Sequence, residues 1–144
     1  MNKQKIAIAS DHAGFDMKKT LKTELDALGY EAEDMGTHDT QSVDYPDFAH
    51  ALARWVEAEK NRRGVLICGS GIGMSIAANR HKGVRAALAH GGGEAALARR
   101  HNDANVLCLG ARITSDEAAK DALRMFLNTA FEGGRHEKRV EKLG

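Results

Sequence analysis

Proline is nearly absent from this chain, with Pro46 the single example in 144 residues. Long disordered or linker segments are therefore not expected. Cysteine is scarce as well, and both copies, Cys68 and Cys108, sit in apolar, strand-like runs. No C-x-x-C and no His/Cys spacing for zinc is present, so neither a disulfide framework nor a structural zinc site is expected. Charge of one sign is missing too. The 21 Lys+Arg and 20 Asp+Glu leave a formal net charge of +1, which gives no electrostatic reason to invoke nucleic acid or an anionic membrane. No apolar run is long enough to span a bilayer. The opening Met1 to Lys5 leads straight into a strand pattern with no secretory segment in view. The expectation is a cytoplasmic protein with reduced thiols.

What remains is a globular composition, 42% hydrophobic and 28% charged. The length suits one domain over residues 1–144, with room for a real core. Lys5 to Ser10 reads as a buried strand and Phe15 to Leu28 as an amphipathic helix, with Phe15, Leu21, Leu25 and Leu28 near helical spacing. Tyr30 to Asp34 reads as a more polar edge strand. A polar loop follows, and Pro46 then stands at a helix start, where its missing N–H costs nothing. That helix runs to about Lys60. Further strands are expected over Val65 to Cys68, Val84 to His90 and Val106 to Leu109. Helices are expected from the glycine turn to about Arg80, from about Glu94 to His101, from a Thr114 or Ser115 cap to about Thr129, and over Arg135 to Leu143.

Alternating strands and helices imply parallel strands with right-handed crossovers and helices on both faces. The fold expected is α/β: a doubly wound, Rossmann-like, five-stranded parallel sheet in the order 2-1-3-4-5, with a C-terminal helix. Ligands of such sheets bind beyond the carboxyl ends of the strands at the switch point. Asp11-His12 and Cys68-Gly69-Ser70 should then face each other across one crevice.

The stretch Gly64 to Asn79 carries the strongest signal. A short apolar run leads into Cys68-Gly69-Ser70-Gly71-Ile72-Gly73, and a helical pattern begins there. Glycines let backbone N–H groups converge, and a helix N-terminus adds a positive dipole, so the turn suits an anion or a developing oxyanion. A dinucleotide site wants an acidic residue ending the next strand, but that strand ends in Ala89-His90. A Walker loop needs Gly-Lys-Ser/Thr, which is absent. A phosphatase-type thiol loop needs Arg six residues after the cysteine, where Met74 stands.

Cys68 can be read as an inert buried thiol. Placed at a strand's end beside glycine N–H groups, it can equally be a thiolate base or nucleophile. Asp11 reads either as a helix cap or, with His12, as a ligand contact. His101-Asn102-Asp103 is either a helix end and turn or a proton donor beside a ligand contact. Arg135 and Arg139 stand four apart on one helical face. That face is either a solvated basic stripe or a pair of guanidinium forks for phosphate, which His12 could join if the tail folds back. Together these residues fit proton transfer on a small phosphorylated substrate: a base, a hydroxyl at Ser70, N–H donors for an enediolate, and a dianion clamp. Aldose–ketose isomerisation needs this set and requires no redox cofactor and no metal.

The same residues resemble a known family. Ser10-Asp11-His12-Ala13-Gly14, Asp44-Tyr45-Pro46, Cys68 to Gly73, Ser75 to Asn79, His101-Asn102-Asp103 and Glu132-Gly133-Gly134-Arg135-His136 with Arg139 are similar, jointly and in order, to the ribose/galactose isomerases of the ribose-5-phosphate isomerase B type. The resemblance implies interconversion of ribose 5-phosphate and ribulose 5-phosphate through a cis-enediol, in the pentose phosphate pathway. It implies Cys68 as the base, Ser70 as a shuttle for the hydroxyl proton, and the N–H groups of Gly69, Ser70, Gly71, Ile72 and Gly73 around the oxyanion. His101 would open the furanose ring. Asp11, His12, Tyr45, Asn102 and Arg112 would contact sugar or phosphate, and Arg135 and Arg139 would bind phosphate. It further implies a homodimer or tetramer in which His101, Asn102 and part of the phosphate site come from the neighbouring subunit. Met74 stands where one branch has a glutamate, which places the chain in the cysteine-base branch.

One departure is His90-Gly91-Gly92-Gly93-Glu94, where the family carries a non-glycine helix opening. Its place near the crevice would bear on sugar specificity. Isomerases of allose 6-phosphate or of free rare aldoses suit the same chemistry. So does a non-catalytic phosphosugar-binding domain. A receiver-like module would need an aspartate where Cys68 stands.

Overall fold

The computed structural model describes residues 2–144. Strand β1 (Lys5–Ser10) leads to helix α1 (Phe15–Ala27) and edge strand β2 (Glu31–Asp34). Helix α2 (Tyr45–Glu57), strand β3 (Gly64–Cys68) and helix α3 (Ile72–Ala78) follow. Then come β4 (Ala86–Leu88), α4 (Gly92–Asn102), β5 (Val106–Gly110), α5 (Asp116–Asn128) and α6 (Arg135–Leu143). All four strand pairings are parallel.

The strand order is β2-β1-β3-β5-β4, which corrects the expected 2-1-3-4-5. The physical reason lies in the two sequences. Val106 to Gly110 is buried throughout, whereas Ala86 to Leu88 is only half-buried. Val-Leu-Cys-Leu fills a central position, and a strand of small residues preceded by Arg85 tolerates the edge. The switch point still falls between β1 and β3, so the two predicted crevice walls do meet.

Side chains alternate along the strands and split the core in two. Ile6, Ile8, Val65, Ile67, Leu107 and Leu109 face α1, α4 and α5. Ala7, Ala9, Leu66, Cys68, Val106 and Cys108 face α2 and α3. Lys18 occupies the apolar stripe of α1 with Met17, Leu21 and Leu25, while Phe15 and Leu28 are only half-buried. Its ammonium donates to Asp34 Oδ1 at 2.6 Å and to the Thr37 carbonyl at 2.5 Å. Burial alone would raise the Asp34 carboxyl. Hydrogen bonds from Lys18, Lys22 and the Gly36 N–H outweigh it and hold the group down at about 2.

Helix α4 starts two residues before the expected Glu94 and takes in Gly92 and Gly93. Oε1 of Glu94 accepts from the His90 N–H at 2.7 Å and contacts the His90 ring at 3.0 Å, which folds the opening turn back on itself. Of the two candidate caps before α5, Ser115 serves, its hydroxyl accepting from the Ala118 N–H at 3.1 Å.

Candidate active site

The carboxyl ends of β1 and β3 lie side by side at the switch point, where such sheets open a crevice. The Asp11 N–H donates to the Ile67 carbonyl at 3.2 Å, and Asp11 Oδ1 accepts from the Gly14 N–H at 3.2 Å. Asp11 is thus buried and turn-closing at the end of β1. His12 Nδ1 accepts from the Val43 N–H at 3.2 Å. That bond leaves Nε2 to carry the proton of the neutral ring and ties His12 to the loop before α2. Tyr45, at the start of α2, lays its ring where a Cβ on Gly73 would stand. Glycine at 73 is therefore what lets the tyrosine reach the turn.

The turn itself is built around the sulfur. Gly71 has φ +79, the left-handed conformation that favours glycine. In this conformation its N–H donates to Cys68 Sγ at 3.2 Å. The Ile72 N–H donates to Ser70 Oγ at 3.2 Å. The Ala111 and Arg112 N–H groups donate to the Cys68 and Gly69 carbonyls at 2.8 and 2.9 Å. The last bond brings the Arg112 guanidinium over Gly69, where a Cβ would lie 3.3 Å from Nη1. Arg112 follows β5, so the corrected strand order is what delivers it. Cys68 is 5% exposed, whereas Cys108 is fully buried. Burial first, and Cys68 second, push the Cys108 thiol well above its ordinary range, which makes it an inert core residue.

The other predicted residues are elsewhere. His101 and Asn102 close α4 at the amino-terminal end of the sheet, where β5 begins. Register pairs Gly64 with Val106 and Cys68 with Gly110, so four residues, about 13 Å of strand, separate that end from Cys68. Arg135 and Arg139 belong to α6, which packs on the same end of α4. There the His136 ring stacks on His101 with centroids 4.5 Å apart, and the Glu132 N–H donates to the Arg100 carbonyl at 3.1 Å. The tail therefore does not bring Arg135 and Arg139 to His12 within one chain: α6 folds onto α4.

Sequence reasoning does not pick out three side chains, Glu132, His136 and Lys18. Glu132 and His136 stand in the sequence only inside a motif, though their i, i+4 spacing beside Arg135 is a usable signal. Lys18 left a trace as a lysine on an apolar helix stripe. The 490 Å³ cavity at the amino-terminal ends of the strands is lined by Arg62, Arg63, Arg85 and Arg99 among others. Each of them bonds to a protein carbonyl, of Trp55, Leu127, Asp103 and Thr129 respectively. That cleft therefore offers structural arginines rather than a free anion site.

A model of the ribose/galactose isomerase family matches residues 6–143. The ribose-5-phosphate isomerase B of Escherichia coli is 41% identical over 140 residues, covering 97% of this chain and 94% of its own. The solved ribose 5-phosphate isomerase B of Anaplasma phagocytophilum is 50% identical, with TM-score 0.93, over 100% of this chain and 99% of that one. The Mycoplasma genitalium ribose-5-phosphate isomerase B, solved with bound ribulose-5-phosphate, is 41% identical with TM-score 0.95, over 99% and 95% of the two chains.

Proposed function

The chain belongs to the ribose/galactose isomerase family, and on that premise we propose that residues 1–144 act as one aldose–ketose isomerase domain interconverting ribose 5-phosphate and ribulose 5-phosphate. The observation that carries the reading is the sulfur of Cys68 at the mouth of the β1/β3 crevice, with the Gly71 N–H aimed at it. The thiolate takes the proton from C2 of the open-chain aldose. A cis-enediolate forms, and the N–H groups of the Gly69 to Gly73 turn hold its oxygen charge. Ser70 passes the hydroxyl proton between O1 and O2, and the thiol returns its proton to C1, giving the ketose. Every atom and proton is conserved, so the step needs no external oxidant.

Asp11, His12, Tyr45 and Arg112 bind sugar and phosphate from the same subunit. His101, Asn102, Arg135 and Arg139 complete the site from a neighbouring one, with His101 protonating the ring oxygen. Two observations support a homodimer or tetramer with shared sites. The second group lies about 13 Å of strand away from Cys68, too far to serve it within one chain. Beside the glycine turn, Ile72 and Ile76 stand one helical turn apart at 51% and 55% exposure, an apolar pair suited to burial by a second copy. None of the described helices is long and apolar enough to cross a membrane. A cytoplasmic enzyme of the pentose phosphate pathway fits these features.

The test is a coupled assay with ribose 5-phosphate beside the Cys68→Ala variant. Wild-type turnover, and loss of about 10³-fold or more in the variant with phosphate binding retained, is the expected pattern for a missing base. Retained turnover in Cys68→Ala would remove the thiol from the chemistry.

A further inference from the structure

His101 and His136 stack with their planes 17° from parallel. His136 is only 7% exposed, although it opens a charged terminal helix. Its Nε2 has no hydrogen-bond partner and lies 3.5 Å from Glu132 Oε1. A buried imidazole nitrogen left unpaired destabilises the fold, and an apolar ring would fill the place without that cost. Such a group calls for an explanation. His101, Glu132 and His136 bring ligating atoms within 4.8 Å of one another, but imidazole lone pairs lie in the ring planes. Two stacked, nearly parallel planes cannot both aim at one cation, so metal binding does not account for the pair.

We propose that His136 is the positioning residue of His101: its stacked ring fixes the plane in which His101 offers a proton to the sugar's ring oxygen, and because two imidazolium rings in one stack repel, the pair carries a single proton, on His101. This rests on the isomerase reading. The groups facing His136 are His101 on α4, Arg135 and Arg139 on its own helix, and Glu132 in the preceding linker. Burial first, then His101 and Arg135, push His136 below the ordinary histidine range, with Glu132 opposing them. The ring of His101 is the more exposed of the two, so solvent reaches it to return a proton. In ring opening, O4 takes the His101 proton as the C1–O4 bond breaks. The C1 hydroxyl proton leaves to solvent as the aldehyde forms, and solvent reprotonates His101.

His136→Ala removes the stack, whereas His136→Phe keeps a flat ring without nitrogens. Ribulose 5-phosphate is acyclic, because its O5 carries the phosphate. Exchange of its C1 hydrogen with solvent deuterium therefore needs Cys68 but not ring opening. In His136→Ala, ribose 5-phosphate turnover should fall about tenfold or more, with KM and C1 exchange within about twofold of wild type. His136→Phe should recover most of the loss. Histidine-ring NMR of the assembled full chain should show the two wild-type rings titrating in separate, coupled steps, with the acid-side step gone in His136→Phe. Unchanged turnover in His136→Ala overturns the proposal, and so do two rings titrating together as independent imidazoles. An equal loss of C1 exchange also overturns it, because α6 would then be scaffold only. If wild type fails to turn over ribose 5-phosphate, the isomerase reading falls, while the NMR titration still decides the stack.

Discussion

Gly110 ends β5 opposite Cys68 in register, and the glycine turn rests on it. A Cβ there would lie 2.5 Å from the Ser70 carbonyl oxygen, 2.6 Å from its carbonyl carbon and 2.8 Å from its Cα. All three are backbone atoms, so no rotamer relieves the clash. Ordinary contact begins at 3.4 Å, and 3.4 − 2.5 leaves 0.9 Å that the turn must yield. Ser70 stands between Cys68 and the Gly71 N–H that points at its sulfur, so the shift falls on the proposed catalytic turn. Overpacking of this kind costs about 1–3 kcal/mol, and a misplacement near 1 Å costs about 10²-fold in rate. Gly110→Ala should therefore lose both, as read by urea denaturation and by ribose 5-phosphate turnover. Gly91→Ala is the control: its φ of 178 is ordinary extended backbone, and a Cβ there meets nothing within 4 Å. A Gly110→Ala protein with the wild-type midpoint and kcat would refute the idea that β5 props the turn.

Asp34 supplies a pH prediction. Its folded value of about 2 lies below the ordinary 3.8, so its contribution is present above the unfolded value and is lost as pH falls from about 3.8 through 2. Urea midpoints across that window should fall more steeply in wild type than in Asp34→Asn, and parallel slopes would discount the Lys18 latch. Arg139→Ala should raise KM for ribose 5-phosphate by about tenfold or more, as expected for a lost charge-assisted bond to phosphate, without raising it for unphosphorylated sugars. An unchanged KM would take Arg139 out of the phosphate site. Gly93→Ala, in the first turn of α4 with open space around its Cβ, should stabilise the fold by a few tenths to about 1 kcal/mol. A lower melting temperature would mean that the turn needs glycine for another reason.

Local chemistry made much of the fold legible. Apolar runs marked β1, β3 and β5 because strands covered on both faces read as continuous hydrophobics. Pro46 and Ser115 marked helix starts through their backbone chemistry. The near half of the site was legible for the same reason: Cys68 to Gly73 is one contiguous turn, and the switch-point rule puts Asp11-His12 beside it. Lys18 was not legible as a core residue, because its partners Asp34 and Thr37 reach it only through β2 and the loop beyond. Nor could the chain alone place His136 on His101, since that contact joins helices separated by β5 and α5.

The strand order decides how the glycine run after β4 should be weighed. In the order 2-1-3-4-5 that run would border the Cys68 turn directly. With β5 between β3 and β4 it stands one strand further out, so two strand spacings, about 9.6 Å, separate it from β3. The direct contact from β4 to the turn is instead Leu88, whose Cδ1 would lie 2.6 Å from a Cβ on Gly71. Gly92 faces Met125 and Asp121 of α5, on the side away from the crevice. The run therefore bears on how α4 starts and packs, and through the far end of α4 on His101. The side chains that reach the turn from this side are Leu88, against Gly71, and Arg112, against Gly69.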